Sequence, residues 1–90
     1  MYSKRETAIW PTPRLIRAAR ALVGIDRATL AGAAGVTKLT VYNIELDESE
    51  RMDPRRLKTL QMLQQALEEK YGIEFQAASK SSGEGVRFRK

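Results

Sequence analysis

Residues 27–44 read RATLAGAAGVTKLTVYNI, and the fold turns on this stretch. Ala28, Leu30, Ala31 and Ala34 recur at helical spacing and give a short helix over 27–34 with a narrow apolar face. Asp26 stands where its side-chain oxygen can accept one of the first unpaired amides of that helix. Gly35 then ends it, because glycine enters the left-handed region without a Cβ penalty. Thr37 caps the next helix, which runs to about Glu45 with Val41 and Ile44 facing inward and Lys38, Leu39, Tyr42 and Asn43 on other sides. Two helices joined by so short a turn meet at a steep angle only if the side chain at their crossing is small, and Ala31 meets that need. Val36 covers the corner.

The flanking sequence supplies a body for these two helices. Thr12 is a cap and Pro13 a first helical residue, after which Leu15, Ile16, Ala19, Leu22 and Val23 mark an apolar face that Gly24 ends. Residues 46–52, LDESERM, read as a polar acidic loop. Asp53-Pro54 repeats the cap-and-proline signature, and Leu57, Leu60, Leu63, Leu67 and Tyr71 define a long helix closed by Gly72. Beyond it Ile73-Glu74-Phe75-Gln76 and Val86-Arg87-Phe88-Arg89 alternate with period two around a flexible turn at 79–85. The expectation is an all-α fold of four to five helices with a short C-terminal β-hairpin. Residues 1–11 form an N-terminal arm, 12–72 the helical domain and 73–90 the hairpin tail. Trp10, beside a proline bend, is expected to plug the end of the core rather than to stack on a base. An isolated hairpin is barely stable in water, so the tail should lie on the helices or pair with a second subunit through its edge.

Composition narrows the function. Ninety residues at 42% apolar content suffice for one small core. The chain holds no cysteine and no histidine, which excludes disulfides, thiolate metal sites and imidazole chemistry. No nucleophile–base arrangement or ligand cluster is legible, so neither an enzyme nor a bound cofactor or metal is expected. The acidic loop lacks the glycine and terminal glutamate of a calcium loop, and Gly83-Glu84-Gly85 reads as a turn rather than a phosphate cradle. Ala8-Ile9-Trp10 is too short for a signal core or a membrane span, so a cytoplasmic protein is expected, bound to the nucleoid when it is on DNA. The net charge is +5. Residues 1–44 hold Lys4, Arg5, Arg14, Arg17, Arg20, Arg27 and Lys38 against Glu6 and Asp26, so the basic excess lies in the half containing the two short helices. That distribution favours a polyanionic partner.

The whole pattern is helix-turn-helix grammar and points to double-stranded DNA. Residues 14–72 resemble the XRE-like family of phage repressors and Cro proteins in the runs LIRAARALVGIDRATLAGAAGVT and VYNIE. The tail motifs Gly72-Ile73-Glu74-Phe75 and Gly85-Val86-Arg87 resemble a small bacterial subgroup of that family. The resemblance implies a transcriptional regulator, commonly dimeric, of the kind found in phages, integrative elements and toxin–antitoxin operons. It also implies that Arg20 and Glu45 form a structural pair, and two parallel bonds from a guanidinium to a carboxylate would orient the third helix. Lys38, Leu39, Tyr42 and Asn43 match the positions from which family members read bases. Asn43 suits adenine, Lys38 suits guanine, and Leu39 suits a thymine methyl or, with the helix rotated, the core, while Tyr42 either meets phosphate, stacks, or covers the domain edge.

Where the family usually has Gln at the start of the second helix, this chain has Arg27, a cation suited to phosphate. Arg14, Arg17, Thr37 and Thr40 are the other expected phosphate contacts, with Lys4 and Arg5 adding charge from the arm. Asp47, Glu48 and Glu50 depart from a DNA-facing loop, and Arg51, Arg55 and Arg56 are placed to offset them. The expected function is sequence-specific binding of a palindromic operator by a homodimer, with the third helix in the major groove. The alternative is a protein-binding adaptor, such as an antitoxin or anti-activator, built on the same fold.

Overall fold

A computed structural model describes residues 9–89, and the expected charges at Lys4 and Arg5 lie outside them. Four helices are followed by two strands: α1 (Pro13–Val23), α2 (Arg27–Ala34), α3 (Lys38–Glu45), α4 (Pro54–Tyr71), β1 (Ile73–Gln76) and β2 (Gly85–Phe88). Each helix begins where a short polar side chain takes over an unpaired amide. Thr12 accepts from the Leu15 amide at 3.3 Å, Asp26 from Thr29 at 2.8 Å, Thr37 from Thr40 at 3.2 Å and Asp53 from Arg56 at 2.9 Å. Between α2 and α3 the chain reverses within Gly35-Val36-Thr37. Gly35 sits at φ 77°, and the amides of Gly35 and Val36 both return to the Ala31 carbonyl.

The core is shared by every element. Ile16 and Ala19 of α1, Leu30 and Ala31 of α2, Val41 and Ile44 of α3, and Leu60, Leu63, Ala66 and Leu67 of α4 pack into one cluster, closed by Met52 and Ile73. Ala31 is buried where α2 packs on α3, so its methyl lets the two backbones approach. The hairpin lies on the helices. β1 and β2 pair antiparallel with Ile73 opposite Phe88 and Gln76 opposite Gly85, β2 rests against α1, and Ile73 is fully buried.

Some positions differ from the sequence reading, each for a geometric reason. At about 100° per residue, Ala28 falls a quarter turn away from the line of Ala31 and Ala34, and it is exposed. Leu22 lies at the margin of the α1 stripe and is 44% exposed. Met52 is buried although the loop around it is polar, because the chain must cross the open end of the core to reach α4. Pro11, rather than Trp10, is the fully buried residue of the segment before α1, with Ile9 beside the core and Trp10 half-buried.

Two glycines of the same helix region give opposite expected outcomes. A Cβ added at Gly35 meets nothing within 4 Å, so Gly35→Ala isolates the backbone cost of a positive φ and should destabilise by about 1–2 kcal/mol. Gly32 is helical and equally open, so Gly32→Ala should stabilise by about 0.5–1 kcal/mol. Urea unfolding midpoints at constant slope read both signs. Equal shifts for the two would contradict this account of the turn.

Candidate functional site

The site is organised by the last residue of α3. Glu45 follows Val41 by four residues and so shares the inward face of the helix, where its side chain is fully buried. A carboxylate out of water must find donors, and three N–H groups converge on it. Arg20 donates from Nε to Oε2 at 2.7 Å and from Nη2 to Oε1 at 3.1 Å, while Arg27 donates from Nε to Oε1 at 2.9 Å. Arg20 also donates from Nη1 to the Ile25 carbonyl at 3.2 Å, joining the α1–α2 connection to the same group. The bond to Glu45 raises the Arg20 pKa above its ordinary value against the opposing effect of burial. Arg17 donates from Nη1 to the backbone carbonyl of Glu45, one of the unpaired carbonyls at the end of α3.

Two expected phosphate contacts are therefore engaged inside the molecule. Arg27 lies almost in line with Ala31 and Ala34 on the inward face of α2, which brings it to Glu45 and lays its guanidinium 5.2 Å from the centre of the Tyr42 ring. Arg17 turns toward α3 rather than outward. Arg14 is exposed. Thr37 and Thr40 stand at the first turn of α3 with their hydroxyls 2.9 Å apart, Thr37 exposed and Thr40 half-buried.

The four residues expected to read bases share the outward side of α3. Lys38, Leu39, Tyr42 and Asn43 are all exposed, opposite the buried Val41, Ile44 and Glu45. Leu39 is 64% exposed. Asn43 lies toward α4, where with Thr40 it lines a shallow groove of about 200 Å³ against Arg55, Arg56 and Thr59. Arg55 joins the face through its place in the first turn of α4. The Asp53-Pro54 signature carries that signal, since it fixes where the turn begins.

The acidic loop is partly neutralised within the fold. Asp47 accepts from the Ser49 amide at 2.8 Å and from Arg56 Nη1 at 2.6 Å. The Ser49 bonds, with help from the Arg56 charge, hold its carboxyl below the usual range. Glu48 and Glu50 remain exposed. Among the described residues no group of three acidic side chains could hold a metal ion, and no helix is long and apolar enough to cross a membrane.

The chain matches no protein-family model, no curated protein and no solved structure. The reading of the site therefore stands on its residues. Glu45→Gln keeps the shape but leaves two guanidinium groups facing a neutral amide, and should cost about 3 kcal/mol of stability. Arg27→Ala should cost less than about 1 kcal/mol, because its side chain is 33% exposed and Arg20 remains on the carboxylate. Denaturant unfolding checks both, and a Glu45→Gln loss no larger than that of Arg27→Ala would contradict the central place given to the carboxylate.

Proposed function

We propose that this protein is a sequence-specific double-stranded DNA-binding transcriptional regulator in which α2, the Gly35 turn and α3 act as a helix-turn-helix. The observation that carries the reading is the face of α3. Lys38, Leu39, Tyr42 and Asn43 project outward from a helix whose other side is fixed by Val41, Ile44 and the buried Glu45 cluster. An α-helix fits the major groove, and these side chains supply a cation for guanine, an amide for adenine and an aliphatic group for a thymine methyl. The net charge of +5 supports attraction to phosphate, with Arg55 exposed beside Asn43 and Arg14 exposed on α1. Acting as a homodimer, the protein would set two copies of α3 in successive major grooves, roughly 34 Å apart, on a palindromic operator. No cofactor enters this mechanism.

A second reading has an observation of its own. Leu39, Tyr42 and Leu46 are respectively 64%, 44% and 50% exposed, and Leu39, Tyr42 and the helix-capping Leu46 give this end of the fold an apolar character. On that reading the face is an adaptor surface for another protein, and DNA affinity would be weak and indifferent to sequence.

In vitro selection from random duplexes followed by mobility-shift titration separates the two. The regulator reading expects a selected half-site and a loss of about 1–3 kcal/mol in specific binding for Asn43→Ala or Lys38→Ala, with Asn43→Ala leaving non-specific binding nearly unchanged. Failure to enrich any sequence, together with equal binding by both variants, would overturn it.

A further inference from the structure

Glu45 is met by more positive charge than its burial requires. The fork of Arg20 already reaches both of its oxygens, at 2.7 and 3.1 Å, and paired bonds from one guanidinium are what a buried carboxylate needs. Arg27 adds a further bond at 2.9 Å, so one carboxylate faces two guanidinium groups and one positive charge is left over. That surplus charge stands against Tyr42. The Arg27 guanidinium carbon lies over the ring at 5.2 Å from its centre, within the reach of about 6 Å at which an aromatic face attracts a cation.

Helix geometry lets one arginine serve both groups. Tyr42 precedes Glu45 by three residues, which places their side chains about 60° apart around α3, one on the outward face and one in the core. From the first turn of α2, Arg27 turns its Nε to the carboxylate and its charge to the ring. Tyr42 is 44% exposed, and an exposed aromatic side chain left to itself samples several rotamers, so ordering it on binding costs affinity. A cation tied to a buried carboxylate does not follow the ring. The ring settles over the cation.

We propose that Arg27 is a positioning residue for sequence recognition: anchored on Glu45, it holds the Tyr42 ring in one orientation on the outward face of α3, and the ordered ring contacts one base step of the duplex. Arg27 acts through Tyr42 and not through phosphate, since its Nε and its charge are both engaged inside the protein and its side chain is 33% exposed. The inference rests on the regulator reading of α3 and gives Tyr42 a part in it beside Lys38, Leu39 and Asn43.

Three substitutions test it. Arg27→Gln keeps a donor for Glu45 but removes the cation, Tyr42→Phe keeps the ring, and Tyr42→Leu removes it. In mobility-shift titration on a selected half-site, Arg27→Gln and Tyr42→Leu should each weaken specific binding about fivefold. The double variant should lose no more than either alone, because the two changes remove one shared contact. Tyr42→Phe should bind like the unmodified protein. Selection repeated with Arg27→Gln should lose preference at one base position while the position read by Asn43 is kept, and the salt dependence of binding should not change. In the free protein, NMR should show a ring-current shift on the Arg27 side-chain protons that persists in Tyr42→Phe and vanishes in Tyr42→Leu.

Additive losses in the double variant, or a missing ring-current shift, would overturn the proposal and leave the reading of α3 standing. So would a salt slope reduced by about one in Arg27→Gln, the mark of a lost phosphate contact, or a loss in Tyr42→Phe equal to that in Tyr42→Leu, which would assign the contact to the hydroxyl. Failure to select any half-site would instead overturn both.

Discussion

A buried carboxylate in a domain of 90 residues is a severe constraint, and the arrangement around Glu45 answers it. Removing the group from water is costly unless its oxygens are met by donors, and in a core this small the donors must come from the neighbouring helices. Arg20 comes from α1 and Arg27 from α2, while Arg17 takes the carbonyl at the same helix end. Three helices are thereby tied to one point. Because that point is the C-terminal end of α3, the bonds also set the rotation of α3 about its own axis and so decide which of its residues face outward. On the proposed reading, the precision with which Lys38, Leu39 and Asn43 meet base edges is inherited from a group that touches no base.

The hairpin completes the same body. With Ile73 fully buried in the same cluster as Leu67 and Ile16, and Val86 packed against it, the tail serves as a lid on the helices. Small domains bury a modest fraction of their surface, so a pair of strands that adds apolar contact contributes materially to stability. Its two strands meet different helices, β2 resting against α1 and β1 against α4.

The helices were legible because their signals are local. Caps at Thr12, Asp26, Thr37 and Asp53, and stops at Gly24, Gly35 and Gly72, depend on interactions within a few residues, and each stands at the boundary it marks. The period-two alternation of the tail likewise marked both strands, with β2 beginning one residue earlier, at Gly85. Burial across elements was harder to read. Arg27 looks like a surface cation when only its helix start is considered; its spacing from Ala31 puts it on the inward face of α2, but its partner Glu45 lies eighteen residues later. Met52 is hidden in an acidic run, and nothing local says that the run bridges the core. The pairing of Arg20 with Glu45 was accessible through resemblance to a known family; the convergence of three arginines on that residue required the packing of α1, α2 and α3 together.

The most direct test of the central claim is an NMR titration of the isotopically labelled protein with a short duplex carrying a sequence enriched by selection. The account expects the largest amide and side-chain shifts at Thr37, Lys38, Leu39 and Asn43, with the Arg20 Nε signal little changed because the Glu45 cluster is already set. Shifts confined to α4 or the hairpin, or a duplex that releases Arg20 from Glu45 as it binds, would contradict a reading head held in place by that carboxylate.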